Sequence, residues 1–226
     1  MKPLTLFVTG TDTGVGKTVV ASLIAGQWRR EGLCVAALKP VCSGGRSDAR
    51  LLRDACGRSL TLEEVNPWSF KAPLSPLLAS RREGRPLRKR AVLGYLKGMQ
   101  RRFPFLVIEG AGGLRSPLGE DFDSRDLLLA LGAIPVAVCP NRLGAINQCL
   151  LVLDALPPRL SRRAQVVLVT PRRLSAASRT NPELLGELIG PDRVHVLPWL
   201  HPPRQAWRRL PSPRVRRFLR SIRRNR

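Results

Sequence analysis

The chain has 226 residues, of which 43% are hydrophobic and 24% are charged, and this composition is typical of a folded domain rather than a disordered chain. No stretch approaches the roughly 18 uncharged apolar residues of a membrane-spanning helix, and the apolar run after Lys2 is too short for a secretory signal. The net charge of +23 has two interpretations: a compositional bias toward arginine, or binding to nucleic acid or an anionic membrane.

Strand-like and helical patterns alternate along the chain. The strand-like runs are 4–9, 33–38, 105–108, 134–139, 165–170 and 194–197. The helical patterns are 16–30, 47–56, 89–102, 124–131, 144–156 and 181–189. Because several strands are apolar throughout, this alternation predicts an α/β fold in which a mostly parallel sheet is flanked by helices on both faces.

The first strand-like run leads into a glycine-rich loop at residues 10–18, with the sequence GTDTGVGKT, and then into a helix. A loop of this kind binds phosphate because its backbone N–H groups point inward and the helix N-terminus adds positive potential. The pattern predicts that Lys17 binds the β- and γ-phosphates and that the Thr18 hydroxyl is a ligand of Mg²⁺. The loop is one residue longer than the standard spacing, with Gly10 as its first glycine. We therefore predict a P-loop NTPase-like fold.

Two further charged residues lie where the next strand and helix meet. Lys39 follows the second strand-like run, at the end of a parallel strand where ligand contacts gather. Asp48 lies at the start of the next helical pattern, and two roles remain open for it: a helix N-cap or a Mg²⁺ ligand.

Glu109 directly follows the third strand-like run and precedes Gly110, Ala111 and Gly112. A carboxylate at a strand end suits the metal side of a phosphate site, and glycines let the backbone approach phosphate closely. Residues 142–147, with the sequence RLGAIN, join the fourth run to a helix. The free N–H groups of this helix suit a substrate carboxylate, while an ordinary strand-to-helix turn is the alternative.

The composition changes near residue 202, so we predict a body of residues 1–201 and an arginine-rich tail of residues 202–226. In the tail, Ser212 and Pro213 are typical of a helix start. One apolar stripe at helical spacing follows, formed by Val215, Phe218, Leu219 and Ile222. This short amphipathic helix predicts docking on the body, and the alternatives are contact with a membrane or a polyanion, or a frayed tail.

Together these motifs resemble the dethiobiotin synthetase family. The resemblance covers roughly residues 4–200 and rests on these segments: residues 10–18, Lys39-Pro40-Val41 with Ser43-Gly44, Ser47-Asp48-Ala49, Asn66-Pro67, Ser75-Pro76, residues 109–113, Leu143-Gly144 with Ile146-Asn147, and Pro198-Trp199-Leu200. It implies an ATP- and Mg²⁺-dependent enzyme of biotin biosynthesis, which carboxylates 7,8-diaminononanoate with CO₂ and closes the ring to give dethiobiotin, ADP and phosphate. It also implies a homodimer with small-molecule substrates, no specific nucleic acid partner and no membrane span.

The resemblance further implies a role for each matching residue. Lys39 and Lys17 are catalytic, and Mg²⁺ is held by Thr18, Asp48 and Glu109. The ATP-binding residues are Gly14, Val15, Gly16, Lys17, Thr18, Val19, Asp48, Glu109, Gly110, Ala111, Gly112, Thr170, Pro198, Trp199 and Leu200. The substrate-binding residues are Thr13 and Ser43 in one subunit, with Leu143, Gly144 and Asn147 receiving the substrate tail across the dimer.

Thr170 stands where the family usually has an asparagine that reads the adenine edge, and a hydroxyl cannot make the paired contact of an amide. The alternative to a synthetase is a partitioning or cell-division ATPase of the same superfamily, which would act as a switch on DNA or membrane. Such switches carry a lysine early in the loop, where this chain has Thr11. A ligating relative that acts on another amine or carboxylate is a third possibility. The five cysteines, an odd number without Cys-x-x-Cys or metal spacing, predict reduced thiols in a cytoplasmic protein.

Overall fold

The structure is a computed structural model, and it describes residues 3–200 together with residues 207, 216, 219, 220 and 222. Within this part of the chain, six parallel strands form the main sheet in the order β10-β9-β8-β1-β5-β2. These strands are β1 (Leu4–Gly10), β2 (Val35–Leu38), β5 (Phe105–Glu109), β8 (Ile134–Pro140), β9 (Gln165–Val169) and β10 (Val194–Leu197). Two short pairs stand apart from it: β3 (Val41–Ser43) with β4 (Trp68–Phe70), and β6 (Pro117–Gly119) with β7 (Phe122–Asp123).

Helices connect the strands. They are α1 (Lys17–Arg30), α2 (Ser47–Ala55), α3 (Leu62–Val65), α4 (Pro76–Arg82), α5 (Lys89–Arg102), α6 (Ser124–Leu131), α7 (Ala145–Asp154), α8 (Pro158–Ser161) and α9 (Ala176–Ile189), with a 3₁₀ turn at Pro191–Arg193. The step from β1 to β2 runs toward one edge of the sheet, and the later steps run toward the other. Right-handed crossovers therefore place α1 on one face and α5, α6, α7 and α9 on the opposite face. The predicted fold class is confirmed.

Helix α9 begins five residues before the predicted start at Asn181. Ser175 is its N-cap, and its hydroxyl accepts a hydrogen bond from the Ser178 N–H at 3.2 Å. Pro182 lies inside the helix and cannot donate to the Ser178 carbonyl. The Asn141 side-chain amide donates to that carbonyl at 2.8 Å, which satisfies the acceptor that the proline leaves open.

The described part of the tail packs against the body. Trp207 lies beside Gly26 on α1, where a Cβ on the glycine would come 3.3 Å from the Trp207 Cβ. Leu219 and Ile222 are buried in the hydrophobic core, while Arg216 and Arg220 are exposed. Val215 and Phe218, the other members of the predicted stripe, lie outside the described residues, as do Ser212 and Pro213. No helix in the described part of the chain is long and apolar enough to cross a membrane.

Ile222→Ala is expected to lower the free energy of unfolding by about 2–4 kcal/mol, because it leaves a cavity at a side chain that is 1% exposed. Arg220→Ala is the matched control on the same helix turn, and its effect should stay within about 0.5 kcal/mol because the side chain is exposed. Urea denaturation measures both variants. An unchanged unfolding midpoint for Ile222→Ala would show that the tail contributes nothing to the core.

Candidate active site

The phosphate loop connects β1 to α1. Gly14 and Gly16 have φ angles of 74° and 99°, a left-handed conformation that glycine adopts without strain. At Gly10, a Cβ would come 2.6 Å from the Val15 side chain, so the turn needs a residue without one. The Lys17 ammonium donates to the Asp12 backbone carbonyl at 2.6 Å and is thereby held across the loop. Burial and the neighbouring Lys39 ammonium lower the pKa of Lys17 to about 8.

Lys39 and Glu109 face each other from neighbouring strands. The Lys39 Nζ lies 2.5 Å from Glu109 Oε1 and 3.3 Å from Asp48 Oδ2. The Thr18 hydroxyl donates to the same Glu109 oxygen at 2.9 Å. Burial alone would lower the pKa of Lys39, but the carboxylates of Glu109 and Asp48 outweigh burial and raise it. The predicted catalytic and metal-binding residues therefore form one contiguous cluster.

Asn66 and Arg46 hold this cluster in place. The Asn66 side-chain amide donates to the Lys39 carbonyl at 2.6 Å, and it is buried. The Arg46 guanidinium binds the carbonyls of Leu62 and Asn66, which ties the start of α2 to α3. Arg46 occupies the N-cap of α2, so the N-cap role considered for Asp48 is wrong. Asp48 lies in the first turn of α2, with its carboxylate directed at Lys39.

The donor set around Glu109 fits a magnesium ion. Glu109 Oε2 is buried and makes no hydrogen bond, so this oxygen is available to bind a cation. Thr18 and Asp48 add hard oxygen atoms beside it. Among the described residues, no group of three or more His, Cys, Asp or Glu side chains could enclose a metal. Such a set suits Mg²⁺, which typically takes one or two carboxylates and completes its shell with phosphate and water oxygens.

The phosphate cleft, a cavity of about 260 Å³, runs along this cluster. Its lining includes the predicted residues Thr13, Gly14, Gly16, Lys17, Thr18, Val19, Lys39, Asp48, Glu109 and Gly112. Gly112 has a φ angle of 68°, and a Cβ there would come 2.3 Å from the Ser116 hydroxyl oxygen. Gly110 and Ala111 continue the chain from β5, and the Gly110 N–H donates to the Val8 carbonyl at 3.0 Å. The strand end thus brings backbone close to the place where phosphate is expected.

The base cavity, of about 360 Å³, adjoins the loop on the β9 side. It is lined by the predicted residues Gly14, Val15, Gly16, Val19, Thr170, Pro198, Trp199 and Leu200. Asn141, Arg142 and Val169 also line it and were not predicted. Both polar atoms of the buried Asn141 amide form hydrogen bonds within the protein. The oxygen accepts from the Asn181 side-chain amide, and the nitrogen donates to the Ser178 carbonyl. The Thr170 hydroxyl oxygen is buried without a hydrogen-bond partner.

A third cavity, of about 500 Å³, lies between the phosphate loop, residues 113–117 and helix α7, and is called the α7 cavity here. Its lining includes Arg115, Gln148, Leu151 and Val152, none of which was predicted as a site residue, together with Asp12. The acidic Asp12 inside a phosphate loop was the available signal, since an acid there repels phosphate and suits a cationic group.

The predicted substrate residues form two groups: Thr13 and Ser43 near the phosphate loop and strand β3, and three residues at the start of α7. Thr13 lines the phosphate cleft, whereas the Ser43 hydroxyl donates to the Leu74 carbonyl. Leu143, Gly144 and Asn147 lie together at the start of α7, with Gly144 as its N-cap. Leu143 is 83% exposed and Asn147 is also exposed. The second group therefore lies on the surface, where another molecule can reach it.

Comparison with known proteins agrees with this geometry. A sequence model described as an AAA domain matches residues 4–204. The ATP-dependent dethiobiotin synthetase BioD of Thermodesulfovibrio yellowstonii is 34% identical over 211 residues, covering 86% of this chain and 88% of that protein. The BioD proteins of Bacillus licheniformis and Anaeromyxobacter dehalogenans are 36% and 40% identical, covering 86% and 79% of this chain and 85% and 78% of their own.

Solved structures resemble the fold. The MinC:MinD cell division protein complex of Aquifex aeolicus aligns with a TM-score of 0.58 and 12% identity, covering 98% of this chain and 94% of that chain. A putative plasmid partition protein of Borrelia burgdorferi bound to AMPPNP aligns with a TM-score of 0.61 and 11% identity, covering 100% and 98%. At this identity the likeness concerns the fold alone.

The parallel sheet and the phosphate loop at the end of β1 define a protein of the P-loop ATPase class. Within that class, the chain belongs to the ATP-dependent dethiobiotin synthetase family. The family predicted from the motifs is confirmed. The alternative of a partitioning or cell-division switch rests only on a fold shared at 11–12% identity.

Proposed function

We propose that this chain joins 7,8-diaminononanoate and CO₂ into the cyclic urea of dethiobiotin at the expense of ATP, as a Mg²⁺-dependent cytoplasmic homodimer. The observation that supports this best is the second buried lysine. Lys39 reaches the metal-side carboxylate Glu109 from the strand next to it, and Asn66 fixes its backbone. A nucleotide switch does not need a second lysine at this position. Phosphorylation of a carbamate does need one, because negative charge on the carbamate must be stabilised.

The loop positions the nucleotide. Backbone N–H groups of residues 14–17 and the Lys17 ammonium hold the phosphates, and the base enters the base cavity beside Trp199. Mg²⁺ would be held by Thr18, Asp48 and Glu109. When bound, it would neutralise part of the negative charge of the phosphates. Phosphoryl transfer needs positioning and charge neutralisation more than covalent chemistry, and this cluster provides both.

Lys39 acts on the carbamate intermediate. A substrate amine attacks CO₂ and loses a proton, and a carbamate oxygen then attacks the γ-phosphorus while ADP leaves. The Lys39 ammonium stabilises the negative charge on the carbamate and on the transferring phosphoryl group. The second amine attacks the carbamoyl carbon and loses a proton to water, and phosphate leaves as the ring closes.

The α7 cavity would accept the remainder of the substrate. Leu151, Val152 and Ala155 offer an apolar wall for the methylene chain, and the Asp12 carboxylate of the phosphate loop suits a cationic amine. The start of α7 in a second subunit, at Gly144 and Asn147, would bind the substrate carboxylate through a helix N-terminus. The exposed Leu143 and Leu151 would become buried between the subunits.

The direct test is product formation. The pure protein is incubated with 7,8-diaminononanoate, bicarbonate, Mg²⁺ and ATP, and mass spectrometry measures the cyclic urea. Omission of the diamine is the control for background ATP hydrolysis. ATP hydrolysis that is independent of the diamine, without any urea product, would rule the proposal out.

Asp48→Ala is expected to raise the Mg²⁺ concentration needed for half-maximal activity, because the metal loses one hard oxygen ligand. The Mg²⁺ titration of product formation measures this effect. Asp54→Ala, on the same helix but paired with Arg58, is the control. An unchanged titration with a lower melting temperature would assign Asp48 a structural role only.

Thr170→Asn is expected to increase the preference for ATP over GTP and CTP, because an amide restores a donor and an acceptor for the adenine edge. In the unmodified protein, kcat/KM for the three triphosphates should agree within about tenfold, since a site without such contacts discriminates poorly. Thr170→Val is the control and should leave the ratios unchanged, because the hydroxyl is buried. A several-hundredfold ATP preference in the unmodified protein would show that other groups read the base.

A further inference from the structure

The Lys39 ammonium binds one oxygen of each of the two carboxylates that would hold the proposed metal. It lies 2.5 Å from Glu109 Oε1 and 3.3 Å from Asp48 Oδ2, so it bridges two of the three expected ligands. The third, the Thr18 hydroxyl, is engaged with the same Glu109 oxygen at 2.9 Å. The Gly110 carbonyl lies 3.5 Å from the ammonium on the side of the strand end.

An ammonium and a divalent cation cannot share this position. Both are attracted by the same carboxylates, and a metal ion beside Glu109 would repel the ammonium strongly in a buried site. Lys39 is 6% exposed and Glu109 is 1% exposed, so water does little to weaken either interaction. Lys17 differs, because its ammonium is bound to the Asp12 backbone carbonyl instead of a carboxylate.

We propose that Lys39 is a built-in competitor of the metal, and that metal binding releases its ammonium from Glu109 and Asp48. This inference rests on the proposed metal site. In the nucleotide-free protein Lys39 neutralises the carboxylates and keeps the cluster stable. When the metal enters with the nucleotide, the freed ammonium turns to the carbamate and the transferring phosphoryl group. Lys39 thus becomes available for catalysis only in the loaded site.

The test measures binding of Mn²⁺ alone to the nucleotide-free protein by electron paramagnetic resonance. Lys39→Met, which keeps the chain length but removes the charge, is expected to bind Mn²⁺ at least about tenfold more tightly than the unmodified protein. Lys17→Met removes the same charge from the same cleft without freeing a carboxylate, so its gain should be severalfold smaller. Lys39→Arg keeps a competing cation and should bind like the unmodified protein. Equal gains for the two Met variants would overturn the proposal.

A second measurement uses the unmodified protein and does not depend on how the variants fold. Reductive methylation of lysines, read by peptide mass spectrometry, is compared with and without Mg²⁺. Labelling of Lys39 should rise severalfold with the metal, while Lys89, which pairs with Asp126 outside the site, should not change. Unchanged labelling of Lys39 at saturating Mg²⁺ would overturn the inference. Failure of the unmodified protein to form the cyclic urea, with both metal results as expected, would instead overturn the proposed function alone.

Discussion

Lys39→Ala is expected to reduce turnover by about 10²–10³-fold while the protein still binds nucleotide. The ammonium meets charge that develops only as the carbamate is phosphorylated, so its loss acts on the transition state more than on the bound ground state. Product formation measured by mass spectrometry gives kcat, and titration with a fluorescent ATP analogue gives the dissociation constant.

The control for this prediction is Lys71→Ala, which removes an exposed lysine outside the phosphate cleft and should retain full activity. Circular dichroism establishes that the Lys39→Ala protein is folded. Near-full activity of that protein would remove Lys39 from the catalytic site. A large loss of nucleotide affinity would assign Lys39 to phosphate binding instead.

Glu109→Gln is expected to lower the free energy of unfolding by about 3 kcal/mol, in addition to its effect on the metal. Lys17 and Lys39 are 5% and 6% exposed, and the buried Glu109 carboxylate contacts Lys39 and attracts the charge of Lys17. Replacing the carboxylate with an amide keeps its shape but leaves two buried ammonium groups with little compensation. Urea denaturation at pH 7 measures the change.

Asp48→Asn is the matched control, because its carboxylate also contacts Lys39 but its side chain is 48% exposed. Its cost should stay below about 1 kcal/mol, as is usual for solvent-accessible ion pairs. If the two variants lose equal stability, the buried position of Glu109 is not what stabilises the cluster.

Much of the fold could be predicted because buried parallel strands are apolar throughout. The bounds of Val194–Leu197, Lys89–Arg102 and Ser124–Leu131 agree with the predicted ranges. The pairing of Val41–Ser43 with Trp68–Phe70 was missed, since three-residue strands carry too little periodicity. The early start of α9 was missed because the compensation for Pro182 comes from Asn141, a residue 37 positions away from the carbonyl it satisfies.

The candidate site was predictable as a set of residues but not as an arrangement. Local signals mark Lys17, Lys39, Asp48 and Glu109, because each lies at the end of a strand or in the first turn of a helix. That Lys39 binds Glu109 depends on β5 lying beside β2 in the sheet, and local patterns do not encode strand order. The apolar wall of the α7 cavity could not be predicted from the sequence, for a different reason. Leu151 and Val152 belong to the unbroken apolar run 150–153, in which the sequence does not distinguish core residues from cavity-lining residues.

The position of β5 between β1 and β2 also sets when this site can form during synthesis. Lys39 and Glu109 are 70 residues apart, which the ribosome needs about 4–14 s to add. Until then a growing chain has both lysines but lacks the anion that lets them be buried, and the two strands have no partner between them. The catalytic cluster is therefore a late product of folding. A nascent chain that stalls before residue 105 would expose Lys17 and Lys39 to water, together with the apolar edges that β5 should cover.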